Sequence, residues 1–276
     1  MSRTLATLLI ATAATIVIAC EKTDRSTPVP TPSAAAPAHI DVPPASSAAG
    51  PAKASADRLP TSGGELTITP VQHGTVLFEW NGKAVYLDPA PGGKYESLPK
   101  ADVVLITDIH ADHMSPPTVA ALRKDGTPIV VPPAVAPNFP PEGLVVMKNG
   151  DSRQIAGLGV EAIPMYNLKR GPSADKRYHD KGRGNGYVLT FADKRVYVSG
   201  DTECIPEMKA LENIDVAFVC MNLPYTMPPA EAAECIRAFK PKVVYPYHYR
   251  GSNLGELEAA LADQDNVEIR IRNWYP

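Results

Sequence analysis

The sequence predicts one domain of layered α/β type, preceded by a leader segment and a linker. Two observations carry this prediction. After about residue 65, short apolar runs typical of strands alternate with stretches typical of helices, and before it the chain is rich in proline, alanine and serine. Strands with interspersed helices indicate a layered α/β architecture, and roughly 210 residues are enough for one domain.

The N-terminal segment has the features of a bacterial lipoprotein signal. Arg3 precedes an uncharged, apolar stretch, residues 5–18, which is too short and too rich in Ala and Thr for a transmembrane helix. Val17-Ile18-Ala19-Cys20 then resembles a lipobox, whose cysteine carries acyl chains. We therefore expect residues 1–20 to be a signal peptide that ends at a lipidated Cys20, with the protein anchored in the cell envelope. The alternative is an ordinary signal peptide in which Cys20 has no role.

Residues 21–64 are predicted to be a disordered linker. Residues 21–60 contain 8 Pro, 10 Ala and 5 Ser without apolar periodicity, so they cannot bury enough surface to offset their ordering entropy. The domain would then span residues 65–276.

Charge and cysteine content narrow the class of protein. The chain has 27 Lys and Arg against 30 Asp and Glu, a net charge of −3, which gives no electrostatic reason to expect nucleic acid as a partner.

Three cysteines follow Cys20, namely Cys204, Cys220 and Cys235. Three is an odd number, so at least one is free or paired outside the chain. Cys220 lies in an apolar run and is predicted to be a core residue, and we expect no disulfide framework.

The strongest local signal is a hairpin at Asn81-Gly82, flanked by the apolar runs 75–80 and 84–87. The run 102–107 predicts a strand buried on both faces. Helices are expected over 117–124, which has proline at its start, and over 230–239 and 254–261. Further strands are expected at 66–69, 129–131, 144–146, 160–163, 186–191, 195–199, 216–219, 243–245 and 267–271.

Potential metal ligands follow the strand 102–107. Asp108, His110, Asp112 and His113 fall within six residues, and they can converge on one point only in a turn at a strand end. Imidazole and carboxylate together suit Zn, Fe or Mn. The alternative is a polar loop with two solvated histidines.

Three more residues of the same chemical types occur where strands end. His179 precedes a glycine-rich turn, His248 follows the run 243–245, and Asp201 leaves a buried strand through Gly200. Burying such an aspartate is costly without a cationic partner. Loops at strand ends on a rigid scaffold commonly carry function.

Together these motifs resemble the metallo-β-lactamase superfamily, and more narrowly its L-ascorbate-6-phosphate lactonase-like branch. The resemblance covers about residues 65–276 and includes the segments 72–74, 87–89, 108–113, 184–187 and 200–202 and His248. It implies a four-layer αββα sandwich with two divalent metal ions, Zn in the first place and Mn or Fe as alternatives.

The resemblance also implies which residues bind the metals. The first ion would have Asp108, His110 and His179 as ligands, the second Asp112, His113 and His248, and Asp201 would bridge them. Asp108 departs from the family pattern, because many members have histidine there, and a carboxylate favours Mn or Fe or raises the pKa of the bound water. Asn167 stands where some members have their ligand histidine, so the third ligand is either His179 or Asn167.

Four residues are implied to lie near the pocket, namely His73, Asp88, Asn167 and Tyr225. A structural histidine, a turn-capping aspartate and a packed aromatic are the alternatives for His73, Asp88 and Tyr225. Lys181, Arg183 and Arg250 are candidates for holding an anionic group of the substrate, with solvated surface charge as the alternative.

The sequence therefore predicts a membrane-anchored hydrolase in which a metal-bound hydroxide cleaves an ester, lactone or phosphodiester bond of a small, anionic substrate. Asp112 is the candidate catalytic residue, because it could both ligate a metal and orient the nucleophile. The altered first ligand disfavours β-lactam cleavage. The alternative class is an envelope lipoprotein that binds a metal or ligand on the same fold without turnover.

Overall fold

The computed structural model describes residues 56–276. The predicted signal peptide with Cys20, and residues 21–55 of the predicted linker, lie outside the described residues. Within the described part, no helix is both long enough and apolar enough to cross a membrane.

Seven strands form the first sheet, and their order in the sheet is their order in the chain. They are β1 (Asp57–Thr61), β2 (Gly64–Gln72), β3 (Thr75–Trp80), β4 (Lys83–Leu87), β5 (Val103–Leu105), β6 (Ile129–Val131) and β7 (Leu144–Val146). Pairing is antiparallel from β1 to β4 and parallel from β4 to β7. Helix α1 (Pro116–Leu122) follows β5 and is capped by Ser115, whose Oγ accepts from the Thr118 N–H. A 3₁₀ helix, Ala136–Asn138, precedes β7.

The second sheet repeats this plan. Its strands, in chain order and in order across the sheet, are β8 (Ser152–Ile155), β9 (Leu158–Met165), β10 (Gly184–Phe191), β11 (Lys194–Val198), β12 (Val216–Cys220), β13 (Val243–Tyr247) and β14 (Glu268–Ile269). The first four pair antiparallel and the last four parallel. The helices are α2 (Pro206–Lys209), α3 (Pro229–Phe239) and α4 (Leu254–Ala260).

The two sheets pack face to face. On β3, Val76 and Phe78 join the large core cluster that contains residues of both sheets, whereas Leu77 joins a second cluster with Val119 of α1. The Phe78 ring lies 5.6 Å from that of Phe218 on β12, and α3 buries its apolar face in the large cluster. The period-2 alternation of strand side chains thus builds an αββα sandwich, which confirms the predicted fold class. The hairpin at Asn81-Gly82 is also confirmed, with Trp80 paired to Lys83.

The domain begins earlier than the sequence predicts, because β1 lies inside the predicted linker. β1 is the outermost strand of its sheet and pairs Asp57 with Ile68. It contains Pro60, which a strand tolerates only where its missing N–H faces no partner, as at a sheet edge. The equally polar β8, at the edge of the second sheet, was also not predicted. These two edge strands lack the apolar pattern on which strand prediction depends.

No disulfide framework was expected from the sequence, and the structure contains one disulfide bond that the sequence did not predict. Cys204, in the loop after β11, is bonded to Cys235 on α3, with their Cα atoms 5.5 Å apart. The two residues are 31 positions apart in sequence, and only the packing of α3 brings them together. Cys220 is buried in β12, which confirms the predicted core position, and it has no disulfide partner among residues 56–276.

An ion pair joins the first strand to the C-terminal segment. Arg272 donates to both carboxylate oxygens of Asp57, at 2.7 and 2.8 Å, and the Tyr245 hydroxyl donates to Oδ2 at 2.8 Å. Burial by itself would raise the pKa of Asp57, but the hydrogen bonds from Arg272 and Tyr245 hold it below its ordinary value of 3.8.

We expect Asp57→Asn to lower the free energy of unfolding by about 1–2 kcal/mol at pH 7, since a charge-assisted pair is lost. A depressed carboxyl pKa stabilises the fold above the unfolded value and ceases to do so as the pH falls through the folded one. The difference between wild type and variant should therefore shrink below about pH 3.8. Urea titrations at several pH values measure it, with the exposed Asp265→Asn as control. A difference that is the same at pH 3 and pH 7 would contradict this assignment.

Candidate metal centre

Candidate ligands from both sheets meet at one end of the sandwich. Asp108, His110, Asp112 and His113 follow β5 of the first sheet. His179 precedes β10, Asp201 follows β11 and His248 follows β13 of the second sheet. The carboxyl ends of the parallel strands supply most of these loops, as is common for α/β sites.

The first group of candidate ligands is Asp108, His110 and His179, whose ligand atoms all lie within 4.8 Å of one another. Oδ2 of Asp108 is 2.9 Å from Nδ1 of His110 and 4.0 Å from Nε2 of His179. Asp108 and His179 are buried, whereas the His110 side chain is 46% exposed. One side of this group is therefore open to solvent.

The second group is His113, Asp201 and His248. Nε2 of His113 lies 3.3 Å from Oδ2 of Asp201, and Nε2 of His248 lies 3.5 Å from Oδ1. Asp112 reaches the same place, since its Oδ2 is 3.3 Å from Nε2 of His248 and 3.2 Å from Nε2 of His73. His73, expected only near the pocket, thus belongs to a third overlapping group with Asp112 and His248.

Asp201, a member of the second group, also contacts the first group. Its Oδ2 is 3.2 Å from Nε2 of His179 and 3.3 Å from Nε2 of His113. The structure therefore brings together all seven residues that the sequence predicted as ligands, and it places Asp201 where the predicted bridge would lie.

The unpaired atoms of this centre test whether the residues fit a metal. Nε2 of His113, Nε2 of His179 and Oδ1 of Asp201 are buried and have no hydrogen-bond partner among the described residues. Such buried polar atoms are rare in proteins unless a ligand satisfies them. Imidazole nitrogens and carboxylate oxygens are the donor types of Zn, Mn and Fe sites, so the residues fit divalent metal ions.

The protonation of the carboxylates also suits metal binding. Burial by itself would raise the pKa of Asp201, but His248 and His113 hold it well below its ordinary value. The pKa of Asp108 is likewise depressed against the effect of burial, by His110, His113 and Arg183, and that of Asp112 by His248 and His73. All three side chains are therefore anionic donors at neutral pH.

Asp88 orients His113. The His113 Nδ1–H donates to Oδ2 of Asp88 at 2.8 Å, and the fully buried Asp88 carboxylate also accepts from the backbone N–H and the hydroxyl of Thr107. This carboxylate–histidine contact directs Nε2 of His113 to the centre. Asp88 is thus a positioning residue, and the turn-capping alternative does not describe it.

Asn167 orients His179 in the same way. Its Oδ1 accepts from the His179 backbone N–H and from Nδ1–H, both at 2.8 Å, while its Nδ2 donates to Glu203 and to the Tyr225 carbonyl. Nε2 of His179 is then free to face the centre. Of the two alternatives for the third ligand, His179 lies in the group, and Asn167 lies behind it.

Sequence reasoning missed Glu203. This fully buried carboxylate accepts from the backbone N–H groups of Leu168, Lys169 and Arg170 as well as from the Asn167 amide. It therefore fixes the loop that holds Asn167. Its place two residues after Asp201 was the available signal.

Two of the three cations proposed for a substrate anion are already paired. Arg183 donates from Nε and Nη2 to the two oxygens of Asp108, at 3.1 and 2.9 Å, and Lys181 pairs with Glu207 at 2.6 Å. Arg250 has no carboxylate within 4.0 Å among the described residues.

Tyr225 is 47% exposed at the rim, with its ring against Tyr178.

Comparison with known proteins agrees with this geometry. The family model for the beta-lactamase superfamily domain matches residues 67–248. The chain is 30% identical over 195 residues to a UPF0173 metal-dependent hydrolase of Geobacillus sp. strain WCH70, which covers 67% of this chain and 85% of the relative. A solved structure from Parabacteroides distasonis ATCC 8503, described as that of a metal-dependent hydrolase, is 41% identical with a TM-score of 0.74, covering 80% of this chain and 99% of that one.

The metallo hydrolase Igni18 of Ignicoccus hospitalis shares the fold, with a TM-score of 0.62 at 23% identity over 75% of this chain and 94% of that one. Fold, site and matches together define the class as the metal-dependent hydrolases of the metallo-β-lactamase superfamily, to which this chain belongs. Within it, the chain belongs with the UPF0173 metal-dependent hydrolases. The lactonase-like branch stays a prediction.

We expect Asn167→Leu to weaken metal binding about 10- to 100-fold, because His179 loses the acceptor that fixes its tautomer and ring orientation. Competition with a chromophoric chelator measures the affinity. The surface variant Asn138→Leu is the matched control and should bind metal as the wild type does. Unchanged affinity in a folded Asn167→Leu protein would show that His179 is oriented without this contact.

We expect Arg183→Met to destabilise the metal-free protein by roughly 2–3 kcal/mol, because the buried Asp108 carboxylate loses its cationic partner. A divalent ion at the first group would restore a counter-charge. Adding metal should therefore raise the melting temperature of the variant by more than it raises that of the wild type. Thermal denaturation with and without metal measures both shifts, and equal shifts would count against Asp108 as a ligand.

Proposed function

We propose that this chain is a two-metal hydrolase that cleaves an ester, lactone or phosphodiester bond in a small molecule. The observation that carries the proposal is the pair of ligand groups joined by the buried Asp201. Asp108, His110 and His179 would hold one ion and Asp112, His113 and His248 the other, with Asp201 touching both. Two divalent cations, when bound, lower the pKa of a water molecule and polarise the scissile group.

Asp112 is the residue that we propose to act on the nucleophile. Its side chain is 48% exposed, the most open of the carboxylates in the centre, while its Oδ2 lies between His73 and His248. A carboxylate that is fixed on one oxygen and open to solvent can orient an attacking water and accept its proton. His110, which is also half exposed, lies on the side from which a substrate would enter.

We propose Zn as the metal, with Mn or Fe as the alternatives. An aspartate in place of a histidine adds a negative charge, which favours harder cations. Arg183 offsets this charge through its two hydrogen bonds to Asp108. The Asp108–Arg183 pair is then neutral, as an imidazole is. It still differs from a histidine ligand because it offers the metal an oxygen atom instead of a nitrogen atom.

We also propose that the protein is anchored by a lipid on Cys20 and faces an oxidising compartment of the cell envelope. The Cys204–Cys235 disulfide supports this location independently of the leader, because structural disulfides persist mainly outside the reducing cytosol.

We expect removal of metal by a chelator to abolish turnover of a lactone, a 4-nitrophenyl ester and bis(4-nitrophenyl) phosphate, and metal replacement to restore it. His113→Ala should lower kcat/KM at least about 100-fold for whichever of these is cleaved, since it removes a ligand nitrogen and empties a buried position. Elemental analysis gives the metal content, and Glu258→Ala, on the exposed face of α4, is the control. A metal-loaded protein that cleaves none of the three would favour the alternative of binding without turnover.

A further inference from the structure

A cavity of about 230 Å³ lies beside His73, at the edge of the metal centre. The side chains that matter for its chemistry are those of His73, Lys94, Arg250, Trp274 and Tyr275. A larger cavity of about 350 Å³ lies around the β3–β4 hairpin, and it contains none of the candidate site residues. Of these two cavities, the smaller one is therefore the one that adjoins the candidate metal centre.

His73 lines the cavity and also contacts residues of the metal centre. Its Nδ1 is 2.9 Å from the Tyr275 hydroxyl, on the cavity side, and its Nε2 is 3.2 Å from Oδ2 of Asp112. Its ring also lies 3.7 Å from that of His248. Asp112, whose side chain is half exposed, therefore lies one side chain away from the cavity.

Two exposed cationic side chains line the cavity, together with the C-terminal residue Pro276. Lys94 and Arg250 both line it, no aspartate or glutamate does, and neither cation has a carboxylate within 4.0 Å among the described residues. The Arg250 guanidinium lies over the Tyr275 ring, 5.1 Å from its centroid. A cation–π contact of this kind holds an arginine beside the ring while leaving its N–H groups free for an oxyanion.

We propose that this cavity is a subsite for a carboxylate or phosphate group of the substrate, remote from the bond that is cleaved. Its role as a substrate subsite rests on the proposed hydrolase function. Its volume is below the roughly 300–1,000 Å³ of sites for whole drug-sized ligands, so it suits one terminal oxyanion with a few carbon atoms. Binding energy from such a remote group positions the scissile bond at the reacting centre.

Calorimetric titration of the metal-loaded protein with glutarate and with methylphosphonate tests the subsite without turnover. The wild type should bind at least one of these anions, and the tighter of the two identifies the group as carboxylate or phosphate. Arg250→Met and Lys94→Met should each weaken that binding about tenfold. Arg153→Met should not, since Arg153 is exposed on the edge strand β8 and has no carboxylate partner within residues 56–276. Since every variant keeps the metal ligands, a difference between them reports the cavity.

A wild type that binds neither anion, or Arg250→Met and Lys94→Met proteins that bind as the wild type does, would overturn the subsite. Melting temperatures equal to that of the wild type verify that the variants are folded.

Matched esters connect the subsite to catalysis. Mono-4-nitrophenyl glutarate and 4-nitrophenyl butyrate share leaving group and scissile bond, and they differ in a terminal carboxylate. We expect Arg250→Met to lower the ratio of kcat/KM for the anionic ester over the neutral one about tenfold, mainly through KM. An unchanged ratio would overturn the subsite even if both esters are cleaved. Anion binding that depends on Arg250, without cleavage of either ester, would uphold the subsite and count against esters in the proposed function.

Discussion

The buried carboxylate of Asp201 is the interaction on which the two halves of this molecule depend at their functional end. It follows β11 of the second sheet, and it contacts His113 from the first sheet and His179 and His248 from the second. A charge with 3% of its surface exposed persists in a protein only where cations or hydrogen bonds compensate it. The loops of both sheets must therefore converge on this point, and the face-to-face packing of the sheets allows them to do so.

A second set of hydrogen bonds determines which ring nitrogen of His113 and of His179 faces the centre. Asp88 accepts from His113, Asn167 accepts from His179, and Glu203 fixes the loop that carries Asn167. The backbone contributes as well, since His73, Asp88 and His248 adopt φ angles of 41°, 45° and 47°. Left-handed conformations of non-glycine residues cost about 1–3 kcal/mol each and persist where the surroundings impose them. Here the hydrogen bond from the His248 N–H to the His73 carbonyl joins two of these residues directly.

The sequence predicts interactions between residues that are close in the chain better than interactions between residues that are far apart in it. The loop from Asp108 to His113 was identified because its ligands are close in sequence, and the hairpin because Asn-Gly has a strong local preference. The pairing of Arg183 with Asp108 and that of Cys204 with Cys235 were not predicted, since each joins residues that only the tertiary fold brings together. The edge strand β1 was missed for the opposite reason, because its local composition resembles that of the linker before it.

The charges of the centre explain how Asp108 can stand at a position where the resemblance implies a histidine in many family members. Asp108, Asp112 and Asp201 contribute three negative charges, of which Arg183 offsets one. Two divalent cations would more than balance the remaining pair, so a loaded centre would be positive. Lys94 and Arg250 extend this positive region past His73 into the neighbouring cavity. Both side chains are exposed, and a surface region with an excess of one sign of charge attracts ions of the opposite sign. If the centre binds two metal ions as we propose, these charges together would favour an anionic substrate over a neutral one.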